Sequence, residues 1–450
     1  MKTFLEMGLS PGLIAALARN LIETPTPVQM QSIPVLLEGR DLIACAPTGT
    51  GKTVAYLAPG LMRLSTPSES TSRGPRILVL APTRELAQQV TKAAMSLTRE
   101  LGTRCKVVCI TGGEPYGLQI RSLAMTCELV IATPGRLLDH LRSGRLDLSR
   151  VEVLILDEAD RMLDMGFSED VAAISAATPK TRQTVCFTAT MPPQVRALTQ
   201  QMMRSPAQLE VAATINSMAK IEQQLHYTND IGHKRRLLSH WLKQSEVAQT
   251  IVFTATKRDA AELALALEEE GMSAVALHGD LPQAKRTRML NRLRRGEAQI
   301  LVATDVAARG IDVPGLSHVF NFDLPKFAED YVHRIGRTGR AGASGKAVSF
   351  VGREDFHALR QIERLVGQRI AVVEIAGQEA NFKPGEPGKR PAAGRGHTAA
   401  YAAKPRFGAA RPGSKPADGA VRGDKQPWKA GATAKPGGYA GAKRENKSWR

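Results

Sequence analysis

The run Val153 to Asp160, VLILDEAD, constrains the fold most: four apolar residues of buried-strand character end abruptly in Asp157, Glu158 and Asp160. A strand without a polar face must be covered on both sides, as parallel strands of α/β sheets are. In such sheets ligands bind in the crevice outside the carboxyl ends of the strands, which places Asp157 and Glu158 at a ligand rather than in the core. Hard carboxylates at that position suit a Mg-nucleotide.

An earlier segment carries the complementary half of that chemistry. The apolar stretch Leu42 to Cys45 runs into APTGTGKT, Ala46 to Thr53. Gly49 and Gly51 let backbone N–H groups turn towards phosphate oxygens, Lys52 adds a point charge, and the Thr53 hydroxyl suits Mg2+. A helix opening after the loop would add its positive dipole end. Ala46 stands where the usual pattern has its first glycine, so the strand before the loop and the acidic strand end about a hundred residues later complete the identification.

At 450 residues the chain has room for two core-bearing domains and an extension. The net charge of +18 is unevenly placed, because residues 381–450 hold 16 Lys or Arg against 4 Asp or Glu. That segment also holds 12 Gly, 8 Pro and 15 Ala without apolar periodicity, the composition of a disordered basic tail. Such a tail attracts polyanions. Its aromatics, Phe382, Tyr401, Phe407, Trp428, Tyr439 and Trp449, lie among cations where they would stack on unpaired bases or fall by chance. Five scattered cysteines without zinc spacing point to reduced thiols, and with no apolar run long enough to span a bilayer and no signal pattern, a cytoplasmic protein off the membrane is expected.

Short apolar runs alternate with amphipathic helical patterns, which predicts repeated βαβ units around mostly parallel sheets. Ile77–Leu80 leads into APTREL, Leu129–Ala132 into TPGR, and Thr184–Phe187 into TAT, so one site is built from many strand ends. The pattern pauses at 211–220 and restarts with IEQQLHYT. Strands at Ile251–Phe253, Ile300–Val302 and Ala347–Val351 then mark a second domain of similar fold. The expected division is 1–208, a linker 209–220, 221–375, and a tail 376–450. In the second domain HRIGRTGR places Arg334, Arg337 and Arg340 within eight residues of His333, and arginine binds phosphate bidentately without losing its charge.

Together these residues resemble the DEAD-box ATP-dependent RNA helicases, most closely the bacterial RhlE and SrmB group, over roughly residues 4–370. The motifs PTPVQ ending at Gln29, APTGTGKT, PTREL, Gly112–Gly113, TPGR, DEAD, TAT, ATDVAARGID and HRIGRTGR occur complete and in order. The resemblance implies two RecA-like domains that close on ATP and single-stranded RNA. It implies that Gln29 reads the adenine edge and that Ala46, Pro47, Thr48, Gly49, Thr50 and Gly51 wrap the phosphates. Lys52 would hold the β- and γ-phosphates, Thr53 and, through water, Asp157 the Mg2+, and Asp312 the ribose. Glu158 would deprotonate the attacking water, and Arg337 and Arg340 would complete the γ-phosphate site on closure. Asp160 with Thr188 and Thr190 would couple hydrolysis to RNA.

RNA contacts would come from Pro82, Thr83 and Arg84, from Gly113, from Thr133, Pro134, Gly135 and Arg136, and from Thr304, Asp305, Arg309 and Gly310. Such contacts to phosphates and 2′-hydroxyls position a strand without reading its sequence. A monomer acting on ribosomal precursor particles or in RNA degradation is implied. The chain departs from the family at Leu21–Ile22, where a glycine and an adenine-stacking aromatic usually stand, with Phe4 matching a more distant aromatic, and at Thr188, where Ser is commoner. Two rival readings are a DNA translocase with the same ATP chemistry and a non-catalytic RNA-binding scaffold.

Overall fold

Every apolar run named above forms a strand whose residues alternate between two cores. The computed structural model describes residues 2–47, 49–68, 72–101, 105–211, 221–244, 247–308, 311, 313, 315–339 and 344–382. The chain divides into a compact unit, Met1–Glu386, and a second, Pro387–Arg450, that lies outside the described residues.

The first unit contains two sheets of seven strands each. The first comprises β1 (Leu42–Cys45), β2 (Ile77–Leu80), β3 (Val107–Ile110), β4 (Leu129–Ala132), β5 (Val153–Leu156), β6 (Gln183–Thr188) and β7 (Ala207–Glu210). The second comprises β8 (Ile221–Tyr227), β9 (Gln249–Phe253), β10 (Ala274–Leu277), β11 (Ile300–Ala303), β12 (Leu316–Asn321), β13 (Gly345–Val351) and β14 (Ala371–Val372). Their orders are β3-β4-β2-β5-β6-β1-β7 and β10-β11-β9-β12-β13-β8-β14, the same order with every strand advanced by seven. Every recorded strand pair is parallel. The expectation of two similar α/β halves is met.

Parallel strands need crossover helices, and those helices cover both faces. In β5, Val153 and Ile155 enter one core while Leu154 and Leu156 enter the other. Burying such a side chain fully is worth about 1.5–3 kcal/mol, so a polar residue anywhere in β5 would be costly. Asp157, the first residue beyond, is where the two-sided core stops.

The sheet order sorts the motifs. The loops after β3, β4 and β2 carry Gly112–Gly113, TPGR and PTREL on one side, and those after β6 and β1 carry TAT and the phosphate loop on the other. β5, with the acids at its end, lies between β2 and β6. In the second half β8 occupies the place of β1, and Asp230 caps the following helix by accepting from His233 N at 2.7 Å. No glycine loop stands there, which is why the same topology serves a different purpose.

The first sheet includes Leu209 and Glu210, two residues past the expected end of the first domain, and 212–220 lie outside the described residues. The second half continues past 375. Phe382, expected in the tail as a base-stacking ring, is instead buried against Tyr227 and Phe356, with the Arg353 guanidinium 4.5 Å from its ring centre. That ring is closed to a base. The remaining tail aromatics lie outside the described residues. All five cysteines are free.

Leu21 has φ +60° and is 90% exposed. An L-residue in the left-handed region costs about 1–2 kcal/mol, and here no buried contact offsets it. A glycine, which the resemblance implies for this position, would adopt this conformation without strain. Leu21→Gly is therefore expected to raise stability to denaturant by about 0.5–1 kcal/mol, the strain relieved less the extra entropy of an unfolded glycine. An unchanged or lower unfolding midpoint would remove the strain argument. Ile22 packs partly buried against the core, and Phe4 is a core residue.

Candidate functional site

The phosphate loop is shaped by its two glycines, Gly49 at φ +79° and Gly51 at φ +89°. A Cβ on Gly51 would lie 2.5 Å from Gln29 Nε2, so no other residue fits without displacing that amide. Gln29 Nε2 donates to the Gly51 carbonyl at 3.0 Å, and Gln29 Oε1 accepts from Thr26 N at 3.0 Å. Gln29 thus ties the start of its own helix to the loop, a buried bracing position. Thr50 Oγ1 donates to the Pro47 carbonyl at 2.8 Å, and buried Lys52 donates from Nζ to the Ala46 carbonyl at 3.0 Å. The helix Lys52–Arg63 starts here, aiming its first N–H groups into the loop. Thr48 lies outside the described residues.

The acids of β5 face this loop. Asp157 is 3% exposed, and Tyr56 Oη donates to its Oδ2 at 2.8 Å. Burial raises the Asp157 pKa to about 6, opposed by the Lys52 charge and assisted by Glu158. A carboxylate held against ionisation in this way gains when a cation arrives. The Tyr56 hydroxyl is pushed well above the usual tyrosine range by burial and by Asp157, and it stays a donor.

Glu158 occupies the left-handed region, φ +53°, with only 8% of its surface exposed. Backbone strain of this kind, about 1–3 kcal/mol, persists at functional sites where the surroundings enforce it. Asp160 turns the other way. Its Oδ2 accepts from Thr190 N at 3.0 Å, Thr190 Oγ1 at 2.9 Å and Ala189 N at 3.3 Å, while Thr188 Oγ1 donates to the Thr190 carbonyl at 2.6 Å. The last acid and TAT form one hydrogen-bonded body, and the extra methyl of Thr188 is accommodated in a fully buried position.

Thr53 and Asp157 fit Mg2+ by chemistry, as hard oxygens beside a phosphate loop. Among the described residues no group of three or more His, Cys, Asp or Glu is arranged to hold a metal. Mg2+ binds in just this sparse way, through one or two protein oxygens with water and phosphate completing its shell.

The second half meets these elements directly. Arg161, which follows the DEAD run, reaches Asp330 and His333 of the other half. Burial works against its charge, but Asp330 and Asp160 outweigh that and lift its pKa. Arg334 is held by both oxygens of Asp305 at 2.6 and 2.7 Å, by Asn321 Oδ1 at 3.1 Å and by the Asp323 carbonyl at 2.6 Å. Arg337, one turn on, donates to the Ile311 carbonyl at 2.7 Å and lines the same crevice as Arg161, Asp330 and His333. Arg340 and Asp312 lie outside the described residues.

A second joint lies on the PTREL side. Glu85 Oε1 accepts from Arg286 Nε at 3.0 Å and Nη2 at 2.8 Å, and Arg84 Nη1 donates to Gln283 Oε1 at 3.1 Å. Arg84 also lies on Gly113, where a Cβ would stand 2.1 Å from its Nη1. Thr83 Oγ1 accepts from Leu86 N at 3.2 Å and starts the helix behind Arg84. Thr133, Pro134 and Gly135 open another helix, Pro134–Arg142. Arg136 from its first turn donates to the Glu114 carbonyl at 3.2 Å and lies 5.1 Å from the centre of the Tyr116 ring, itself stacked on buried His140 at 4.4 Å. Pro82, Arg84, Gly113 and Arg136 therefore come together on one side of the sheet. Thr304 is buried beside Asp305, whose carboxylate is occupied by Arg334, while Arg309 and Gly310 lie outside the described residues.

Sequence reasoning missed Tyr56, Glu85, Arg161, Gln283, Arg286 and Asp330. Arg161 and Glu85 sit inside or beside recognised motifs, but no local pattern links them to partners 169 and 201 positions away.

A phosphate loop, an acidic strand end and an arginine turn on a second half of equal topology define the two-domain architecture of a nucleotide-binding protein. Comparison with known proteins narrows this. Residues 26–198 match the DEAD/DEAH box helicase family, and residues 233–342 match the helicase conserved C-terminal domain. The chain is 42% identical over 369 residues to the ATP-dependent RNA helicase SrmB of Escherichia coli, covering 82% of this chain and 83% of SrmB. It is 44% identical over 373 residues to the ATP-dependent RNA helicase DeaD of Buchnera aphidicola, covering 83% of this chain but 61% of DeaD. Saccharomyces cerevisiae Dbp5 bound to RNA and ADP BeF3 superposes with a TM-score of 0.75 at 31% identity, covering 83% of this chain and 96% of that one. The chain belongs to the DEAD-box family of ATP-dependent RNA helicases, with two RecA-like domains.

Proposed function

We propose that this chain is an RNA-stimulated ATPase that opens short RNA duplexes or remodels RNA–protein complexes, holding Mg-ATP between its two halves. The observation that carries this reading is the pair of joints across the halves, Arg161 to Asp330 and His333, and Glu85 to Arg286. One joint touches the acids of the ATP side and the other the arginine of the RNA side, so filling either site favours the same closed arrangement. The likeness to Dbp5 bound to RNA and ADP BeF3 supports this.

In the mechanism, Lys52 and the loop amides bind the β- and γ-phosphates, and Glu158 takes the proton of the attacking water. Mg2+, held by Thr53 and Asp157, supplies charge neutralisation to the phosphates when bound. Arg337 and Arg340 reach the γ-phosphate on closure, and Asp312 the ribose. Asp160 transmits the state of the site through the TAT segment. Ile22 replaces the aromatic plane on adenine, so base recognition rests on Gln29 and is weaker. RNA lies along Pro82–Arg84, Gly113, Thr133–Arg136 and Thr304–Gly310 with backbone contacts and little sequence preference. The free cysteines support a reducing cytoplasm, and the resemblance to SrmB favours ribosome assembly over RNA turnover; crosslinking RNA in cells tests that choice.

The decisive experiment is ATP hydrolysis with no nucleic acid, with single-stranded RNA, and with DNA of the same sequence. Strong stimulation by RNA alone is expected. Equal stimulation by DNA would favour the translocase, and no turnover under any condition would favour a scaffold.

A further inference from the structure

We propose that Tyr56 is a positioning residue for the divalent cation, its hydroxyl orienting Asp157, one of the two side chains that would hold Mg2+. The inference rests on the Mg-ATP reading above and deepens it. Tyr56 is 1% exposed, and its Oη donates to Asp157 Oδ2 at 2.8 Å. Thr53 and Tyr56 are three residues apart on the helix Lys52–Arg63 and share its face towards β5.

Packing alone does not call for this hydroxyl. The Tyr56 ring sits 5.5 Å from the Phe187 ring at an angle of 51°, a contact that Phe would make equally well. What Tyr adds is a buried donor aimed at a carboxylate that ends a strand. Without it, Asp157 loses the buried donor that fixes its carboxylate. Groups that orient metal ligands from behind commonly matter about 10–100-fold in metal affinity.

The test is Tyr56→Phe in the full chain, titrating Mg2+ against binding of a fluorescent ATP analogue and against RNA-stimulated hydrolysis. We expect the Mg2+ midpoint to rise about tenfold in both titrations, with nucleotide affinity and turnover at saturating Mg2+ close to the parent. A merely structural role would lower stability or maximal rate without moving the midpoint. Thermal unfolding checks that the variant is folded. In the Asp157→Asn background, adding Tyr56→Phe should leave the midpoint of nucleotide binding where Asp157→Asn alone puts it, because Tyr56 acts through that carboxylate. An unshifted or lower midpoint in Tyr56→Phe, or a full additional shift in the double variant, overturns the proposal. If the parent protein itself binds and hydrolyses ATP without Mg2+, the Mg-ATP reading fails instead.

Discussion

Glu158→Gln is expected to bind Mg-ATP and RNA much as the parent does, yet to hydrolyse ATP at least about a hundredfold more slowly, the usual contribution of a general base. The structure favours this acid over its neighbours. Asp157 is committed to Tyr56, and Asp160 to Ala189 and Thr190. Glu158 alone is held in a left-handed backbone conformation, 8% exposed at the end of β5. Gln has the same size and similar backbone demands, so the strained turn should survive. Its amide cannot accept the proton of the attacking water. In the proposed cycle hydrolysis releases the closed state, so the complex with RNA should persist in the variant. Single-turnover hydrolysis with a parallel RNA-release assay checks both, and a rate near the parent's would take the role of base away from Glu158.

The fold was largely legible because β1, β2, β4, β5 and β6 are buried on both faces and therefore read as short apolar runs. The runs also mark the site, since each is followed at once by the polar residues at its carboxyl end. Both halves could be recognised as similar for the same reason. Strands with weaker runs were not legible: β7 alternates polar residues at the sheet edge, and β14 is two exposed residues. The sequence reads as ending the second half at 375 because the stretch that follows already resembles the tail in composition, although Phe382 within it is buried.

Within the site, motifs told which residues gather but not what each one touches. Arg334 and Arg337 look alike in HRIGRTGR, and only the partners separate them. Gln29 is a case where two readings of one residue converge, because the amide that caps its helix also braces Gly51 of the phosphate loop. The joints between the halves were invisible for a different reason. Arg161 with Asp330, and Glu85 with Arg286, are pairs of opposite charge on separate domains, and buried pairs of this sort depend on tertiary placement rather than on any local period. Breaking one partner of such a pair leaves a buried charge uncompensated, which typically costs about 3–5 kcal/mol. The closed arrangement therefore depends on residues that no single motif contains.

That dependence frames the second large effect. Arg337→Lys is expected to lower RNA-stimulated turnover by about a thousandfold or more, the scale of an arginine finger, while changing Mg-ATP binding without RNA very little. The phosphate loop, Lys52 and the acids all belong to the first half, so ground-state nucleotide binding does not need Arg337. Arg334 is unsuited to the γ-phosphate because Asp305, Asn321 and the Asp323 carbonyl already engage it. Arg337 is anchored to the Ile311 carbonyl at 2.7 Å, in the crevice where Arg161 meets Asp330 and His333. In the proposed mechanism, closure of the halves carries it to the phosphate. Lys keeps the charge but not the planar fork, so it cannot both hold the Ile311 carbonyl and present paired donors to a phosphate. RNA-stimulated rates at saturating ATP, compared with nucleotide affinity in the absence of RNA, separate the two effects. A variant that retains the parent's stimulated rate would exclude Arg337 from the γ-phosphate site, and one that loses nucleotide affinity without RNA would assign it to ground-state binding instead.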